Sequence, residues 1–286
     1  MAVLALLLAM VSQLISSTSA VTNNGKKRMD ADSQARLLLD RMALDFGQIV
    51  KRADVDFYFE KHAGNDQMAF FSEAAGYYPS GVSGPTPKSG ASLIGYRVND
   101  NFQLERLSKS LVWSGVNGST PGAGGVTGSD LPMAFLPNTI TGSWGHGIED
   151  GTDPDYHVIA DQVYRLEYQF LLKPYTDAAG TVHPAVLSLT PWDTRQAAHS
   201  TANGLSDVSA IVVTMAILDN TSRKIVPDGS DQGLVAALPD AEAGTSILQT
   251  WNGSGYLKTS GIPPAAAAQI RIYQRYFYLN NKKDSL

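Results

Sequence analysis

The chain has 286 residues, 43% hydrophobic and only 17% charged, against roughly 25% charged in an average soluble domain. This is enough apolar material for a sizeable core, it excludes global disorder, and the length fits one large domain or one domain plus an appendage. A formal net charge of -5 without a basic stripe excludes a nucleic-acid surface. The absence of cysteine excludes disulfides, cysteine nucleophiles and cysteine-held zinc or iron–sulfur sites.

The N-terminus opens with an unbroken apolar run, AVLALLLAMV, extended past Ser12 and Gln13 by Leu14 and Ile15. At about 1.5 Å per residue this run covers roughly 20 Å, short of the ~30 Å hydrocarbon core of a bilayer. Two readings compete. Thr18-Ser19-Ala20 loosely suits a signal-peptide cleavage site, yet no Lys or Arg precedes the apolar run. The alternative is the back half of a longer apolar helix. Lys26-Lys27-Arg28 reads as a solvated basic face just outside a membrane.

Downstream the pattern is helical. Ala35, Leu38, Leu39, Met42, Phe46, Ile49, Val50 and Ala53 recur at three- and four-residue steps on one face, while Leu37 and Leu44 fall off it. Arg36 with Asp40, and Arg41 with Asp45, are spaced to pair on the polar side. Asn23-Asn24-Gly25 predicts a soft point between the apolar and amphipathic parts. This order favours a helix that leaves a membrane and packs on its own head. Leu4, Leu6, Leu7, Leu8, Val11, Leu14 and Ile15 are the expected membrane or filament face. Leu38, Met42, Phe46 and Ile49 are the expected seat on the head.

An apolar start feeding an Ala/Leu/Arg/Asp-rich amphipathic helix resembles the N-terminal organisation of type IV pilins and type II secretion pseudopilins. The segment DADSQARLLLDRMALDFGQIVKRADV (residues 30–55) resembles the J-type minor pseudopilins, and within them the Verru/Chthon cassette protein C group. QVYRLEYQFL (162–171), VSAIVVTMAILDNTSRKI (208–225) and IRIYQRYFYLNN (270–281) agree with it in order. The resemblance implies a structural subunit without catalytic residues or cofactor. Its helix would hold it in the inner membrane and pack against other pilin or pseudopilin subunits, with the head in the periplasm or on a filament. The family's Phe-Thr-Leu-(Val/Ile)-Glu cleavage motif is absent; MAVLALLLAM resembles the sequence that would follow it, so the expectation is a clipped stem.

Past residue 55 the period becomes strand-like. Short β-branched or aromatic runs start at Val55, Met68, Leu93, Leu104 and Leu111, separated by Gly, Pro and Asn. Residues 162–171 alternate Val163, Leu166, Tyr168 and Phe170 against Gln162, Arg165, Glu167 and Gln169, with one slip near Tyr164. Residues 210–218 suit a central strand and 270–279 a final one. TSGIPPAAAA (259–268) reads as a turn entering a short helix. The expected architecture is α+β: a stem over residues 1–55 packed on a mainly antiparallel β-sheet head over 56–286. A Gly/Ser/Pro-rich loop is expected around 114–151.

Chemistry is sparse. The five histidines show no metal-ligand spacing. Asp150, Asp153 and Asp155 are oxygen donors of the kind Ca²⁺ takes, but lack the EF-hand order, and a solvated turn is the expectation; Asp228 and Asp231 are a weaker case. The glycines around 122–128 follow no clear strand, so a phosphate loop is not expected. No G-x-S-x-G elbow exists, and the four tryptophans read as core or loop anchors. The reading is a pilin-like structural subunit, with a secreted, signal-peptide-bearing β-rich binding module as the alternative.

Overall fold

The computed structural model describes residues 2–52, 55, 57–78, 88–112, 155–226, 235–253 and 263–279. It is α+β, a long N-terminal helix on mainly antiparallel sheets. The helix, α1, spans Ala2–Gly47 without interruption. The expected soft point at Asn23-Asn24-Gly25 is helical. A helical glycine costs about 1 kcal/mol relative to alanine, too little to break a helix with regular turns on both sides. Gly25 also faces open space, so no contact bends the chain there.

Eleven strands follow among the described residues, in two main sheets and a small hairpin. The first sheet is a five-stranded antiparallel meander of β1 (Phe57–Glu60), β2 (Gln67–Ser72), β3 (Lys88–Val98), β4 (Gln103–Val112) and β5 (Tyr156–Asp161). The runs at Leu104 and Leu111 are one strand, because Ser108, Lys109 and Ser110 between them are buried rather than looped out. The second sheet has the order β11-β10-β6-β9, from β6 (Val163–Leu172), β9 (Val186–Ser188), β10 (Val208–Ile217) and β11 (Arg271–Tyr278). β10 is central, as its continuous apolar run requires. β7 (Tyr175–Thr176) and β8 (Val182–His183) form the hairpin. A 3₁₀ turn (Thr201–Asn203) and three short helices complete the description: α2 (Asn220–Arg223), α3 (Ile247–Gly253) and α4 (Pro264–Ala267). The last is the helix that the PPAAAA run predicts.

The slip at Tyr164 is a β-bulge. Ala216 pairs with Arg165 and Ile217 with Val163, leaving Tyr164 as the extra residue. Val163 and Leu166 therefore both reach the inner core, while Tyr164 joins an outer one. The polar half of the alternation, Arg165, Glu167 and Gln169, is buried as well. Residues 235–253 cover this outer face. The Gln169 side chain donates to the Glu242 and Thr245 carbonyls at 3.0 and 2.8 Å and accepts from the Ile247 N–H at 3.3 Å. A buried amide satisfied this way fixes the cover to the sheet.

The main core joins both sheets to the C-terminal half of α1. The Phe46 ring lies 4.9 Å from Phe70 on β2 and 5.0 Å from Phe277 on β11, so one helix residue touches both sheets. Phe59 on β1 meets Tyr168 and Phe170 on β6 edge-on, closing the two sheets together.

Candidate anchoring helix and its seat

α1 divides into two environments. From Ala31 onward its inner face is core: Leu38, Met42, Phe46 and Ile49 expose 2, 0, 1 and 6% of their surface. These are the seat residues expected from the periodicity. Leu37 and Leu44, off the stripe, are exposed. Before Lys26 the described side chains are solvent-facing. Leu4, Leu6, Leu7, Leu8, Val11, Leu14 and Ile15 are each 54–69% exposed. Such a contiguous apolar surface on a soluble chain marks an interaction or membrane site.

Helical continuity changes the length argument. Residues 2–25 contain no Asp, Glu, Lys or Arg, and as continuous helix they rise about 36 Å at about 1.5 Å per residue. That exceeds the ~30 Å hydrocarbon thickness. Within this stretch three hydroxyls bond back to the helix: Ser17 and Thr18 to the Leu14 carbonyl at 3.1 and 2.8 Å, and Thr22 to the Thr18 carbonyl at 2.9 Å. Their hydrogen-bonding demand is met without water, which is what a bilayer requires of a polar group. Among the described residues, α1 is the one helix long and apolar enough to cross a membrane, and a signal sequence passes the same test.

Polar ties hold the seated half. Lys27 pairs with Asp219, the N-cap of α2, at 3.6 Å. Asp32 accepts from the Tyr273 hydroxyl at 2.6 Å, Gln34 donates to the Asp161 carbonyl at 2.7 Å, and Asp40 pairs with Arg275 at 2.6 Å. Arg41 and Asp45 approach to 3.6 Å, as their spacing predicts. Asp45, however, is completely buried rather than on the polar side, because Arg106 reaches it at 2.7 Å and the Tyr96 hydroxyl donates to it. Burial and then the Asp45 charge raise the Tyr96 pKa well above the usual phenol range. Burial disfavours the Arg106 charge, yet the hydrogen bonds and charge interactions with Asp45 and Tyr96 together outweigh it and the pKa is raised. At the end of the helix the Ser72 hydroxyl donates to the Asp45 carbonyl at 2.9 Å, satisfying an end group. The chain then runs along β2, Val50 N–H to Phe71 carbonyl at 2.9 Å.

A second charged cluster sits under the cover of β6. Lys61 bonds Asp66, Glu167 at 2.7 Å and the Tyr168 carbonyl at 2.8 Å. Glu167 also accepts from the Ala241 N–H at 3.2 Å. Burial and then the neighbouring Asp66 carboxylate push Glu167 up to about 8, against the pull of Lys61 and Arg165. Burial likewise raises Asp66, opposed by Lys61. Lys61, Asp66, Arg165 and Asp240 carry no local motif, so only the fold brings them together.

Asp150, Asp153, Asp228 and Asp231, the glycines at 122–128 and the 114–151 loop lie outside the described residues, as do His146, Ala53, Trp113 and Trp144. Asp155 is buried, its carboxylate 3.3 Å from Lys109. Among the described residues no group of three His, Asp or Glu side chains is placed to hold a metal ion. His183 pairs with Asp177 at 3.0 Å and His199 with Asp207 at 2.6 Å. Trp251 is a core anchor, its indole N–H donating to the Pro239 carbonyl at 2.9 Å.

Comparison with protein-family models, with curated proteins and with solved structures found no match.

Proposed function

We propose that the chain is a structural subunit of an envelope assembly, a pilin-like or minor-pseudopilin-like protein of a type II secretion or type IV pilus-like system. α1 anchors it in the inner membrane, and the head stands on the periplasmic side or on a filament. One observation carries this reading: a single unbroken helix is uncharged, apolar and exposed over its first half and belongs to the head core over its second. A stem of this kind transmits the position of its membrane half rigidly to the head. Neighbouring stems exchange lipid contacts for helix contacts at little hydrophobic cost. The partners are other pilin or pseudopilin subunits; no cofactor and no catalytic step are required.

The chain has no cysteine, so single cysteines at Leu8 and Val11 report without background. Oxidation in isolated membranes is expected to give disulfide-linked multimers through the stem. A mature protein beginning at or beyond Val21 would sink the proposal and leave a secreted binding module whose first helical turns are a removed signal.

A further inference from the structure

A cleft of about 770 Å³ opens on the head, away from the stem. Its volume lies within the roughly 300–1,000 Å³ typical of small-molecule sites. Its walls come from the turn after β1 (Gly64), the β3–β4 turn (Val98, Asp100, Phe102), β6 (Arg165) and the cover segment (Leu238). Both apolar and polar residues line it.

Arg165 is the informative wall. Its residue is 1% exposed. Its Nη2 serves Glu167 at 2.9 Å and also Asp240. Its Nε and Nη1 have no hydrogen-bond partner. A buried guanidinium N–H without an acceptor costs more than an unpaired neutral donor, so native chains rarely leave one without reason. Gly64 packs beside it. A Cβ at Gly64 would lie 3.6 Å from Arg165 Nη1 and 3.0 Å from a Val235 methyl, and the φ of +101° disfavours any side chain there. The left-handed turn at Gly64 and the nearby Val235 methyl therefore keep any side chain off this wall of the cleft.

The charges nearby select the ligand. Lys61 and Arg165 face Asp66, Asp240 and Glu167, the last pushed up to about 8 and so holding its proton near neutral pH, and Asp100 adds a carboxylate at the rim. There is no surplus positive charge to attract an anion. We propose that this cleft binds an uncharged ligand that presents an amide or carbonyl oxygen to Arg165 Nη1 and lays an apolar substituent against Val98, Phe102 and Leu238. The site belongs to the head and stands independently of the anchoring reading.

The test uses the full chain in uncharged detergent micelles, with N-acetyl-leucinamide as probe and ligand-observed saturation-transfer NMR as readout. Isovalerate is the anionic comparison. Saturable transfer to the amide is expected, with isovalerate at least tenfold weaker. Arg165→Lys removes the planar donors and is expected to weaken the amide at least tenfold. Should that variant not fold, Ala236→Trp decides, because Ala236 is an exposed lining residue and an indole there closes the cleft without touching the ion pairs. Equal saturation in Ala236→Trp, equal binding of isovalerate, or no saturation with wild-type protein overturns the proposal.

Discussion

The Asp45 carboxylate on the stem receives two hydrogen bonds from the Arg106 guanidinium on β4, Nε to Oδ2 at 2.7 Å and Nη2 to Oδ1 at 2.9 Å. Both residues are buried, and Tyr96 donates to the same carboxylate. Removing one partner leaves the other as an uncompensated buried charge, which costs about 3–5 kcal/mol. Asp45→Ala and Arg106→Ala are each expected to lower head stability by that amount in denaturant melts. The double change Asp45→Leu with Arg106→Met is expected to recover most of the loss. A double variant worse than the sum of the singles would refute the ion-pair account.

The stem stripe makes a sharper contrast. Phe46 is buried between Phe70 and Phe277, whereas Leu44, two residues earlier, is 58% exposed. Phe46→Ala is expected to cost roughly 3–5 kcal/mol, as large-to-small changes in packed cores do. Leu44→Ala is expected to stay within about 0.5 kcal/mol in detergent, as for surface positions. Thermal unfolding of the two variants side by side checks this, and similar shifts would mean the helix is not seated as described.

How much of this the sequence carried depends on distance along the chain. The seat residues Leu38, Met42, Phe46 and Ile49 were legible because helical periodicity is local and the core selects one face. The bulge showed as a broken alternation at Tyr164 for the same reason. Asp45 was misplaced because its partner Arg106 lies 61 residues away, and spacing offers only Arg41. The alternation of β6 does not reveal what lies on its polar face, because that cover, residues 235–253, arrives some seventy positions later. β5 gave no strand signal: His157 and Val158 are both exposed, so its alternation is blurred. Arg165 of the cleft was visible only as the polar half of an alternating strand, and no local pattern marks an unpaired buried donor.

The charge network under the cover has a definite pH signature. Glu167 sits at about 8 in the folded chain, against roughly 4.3 when unfolded. The folded state therefore holds a proton that the unfolded state has released between these values, and stability falls as pH rises through that window. Asp66, also raised by burial, acts in the same direction. The lowered carboxyls Asp193 and Asp219 act oppositely, losing their contribution only as pH drops below the ordinary carboxylate range. Head stability is expected to peak near pH 5 and to decline by a few kcal/mol toward pH 8. Glu167→Gln is expected to flatten that decline. A wild-type profile level from pH 5 to 8 would show that Glu167 titrates normally.

Anchoring makes the last prediction, and it separates the stem's two halves. A Lys at the centre of a spanning helix costs about 2.5–3.5 kcal/mol for insertion, and Val11 sits well inside the uncharged stretch 2–25. Because the Val11 side chain is 54% exposed and outside every core cluster, Val11→Lys leaves the head's packing untouched. The variant is expected to shift from the carbonate-resistant membrane fraction to the soluble one while keeping the wild-type unfolding midpoint. Lys27→Ala gives the complementary outcome. It breaks the contact with Asp219, outside the uncharged stretch, and is expected to leave membrane retention unchanged. Were Val11→Lys retained as firmly as wild type, the apolar half of α1 would not be the anchor; were it also to lose head stability, the first half of the helix would pack against the head after all.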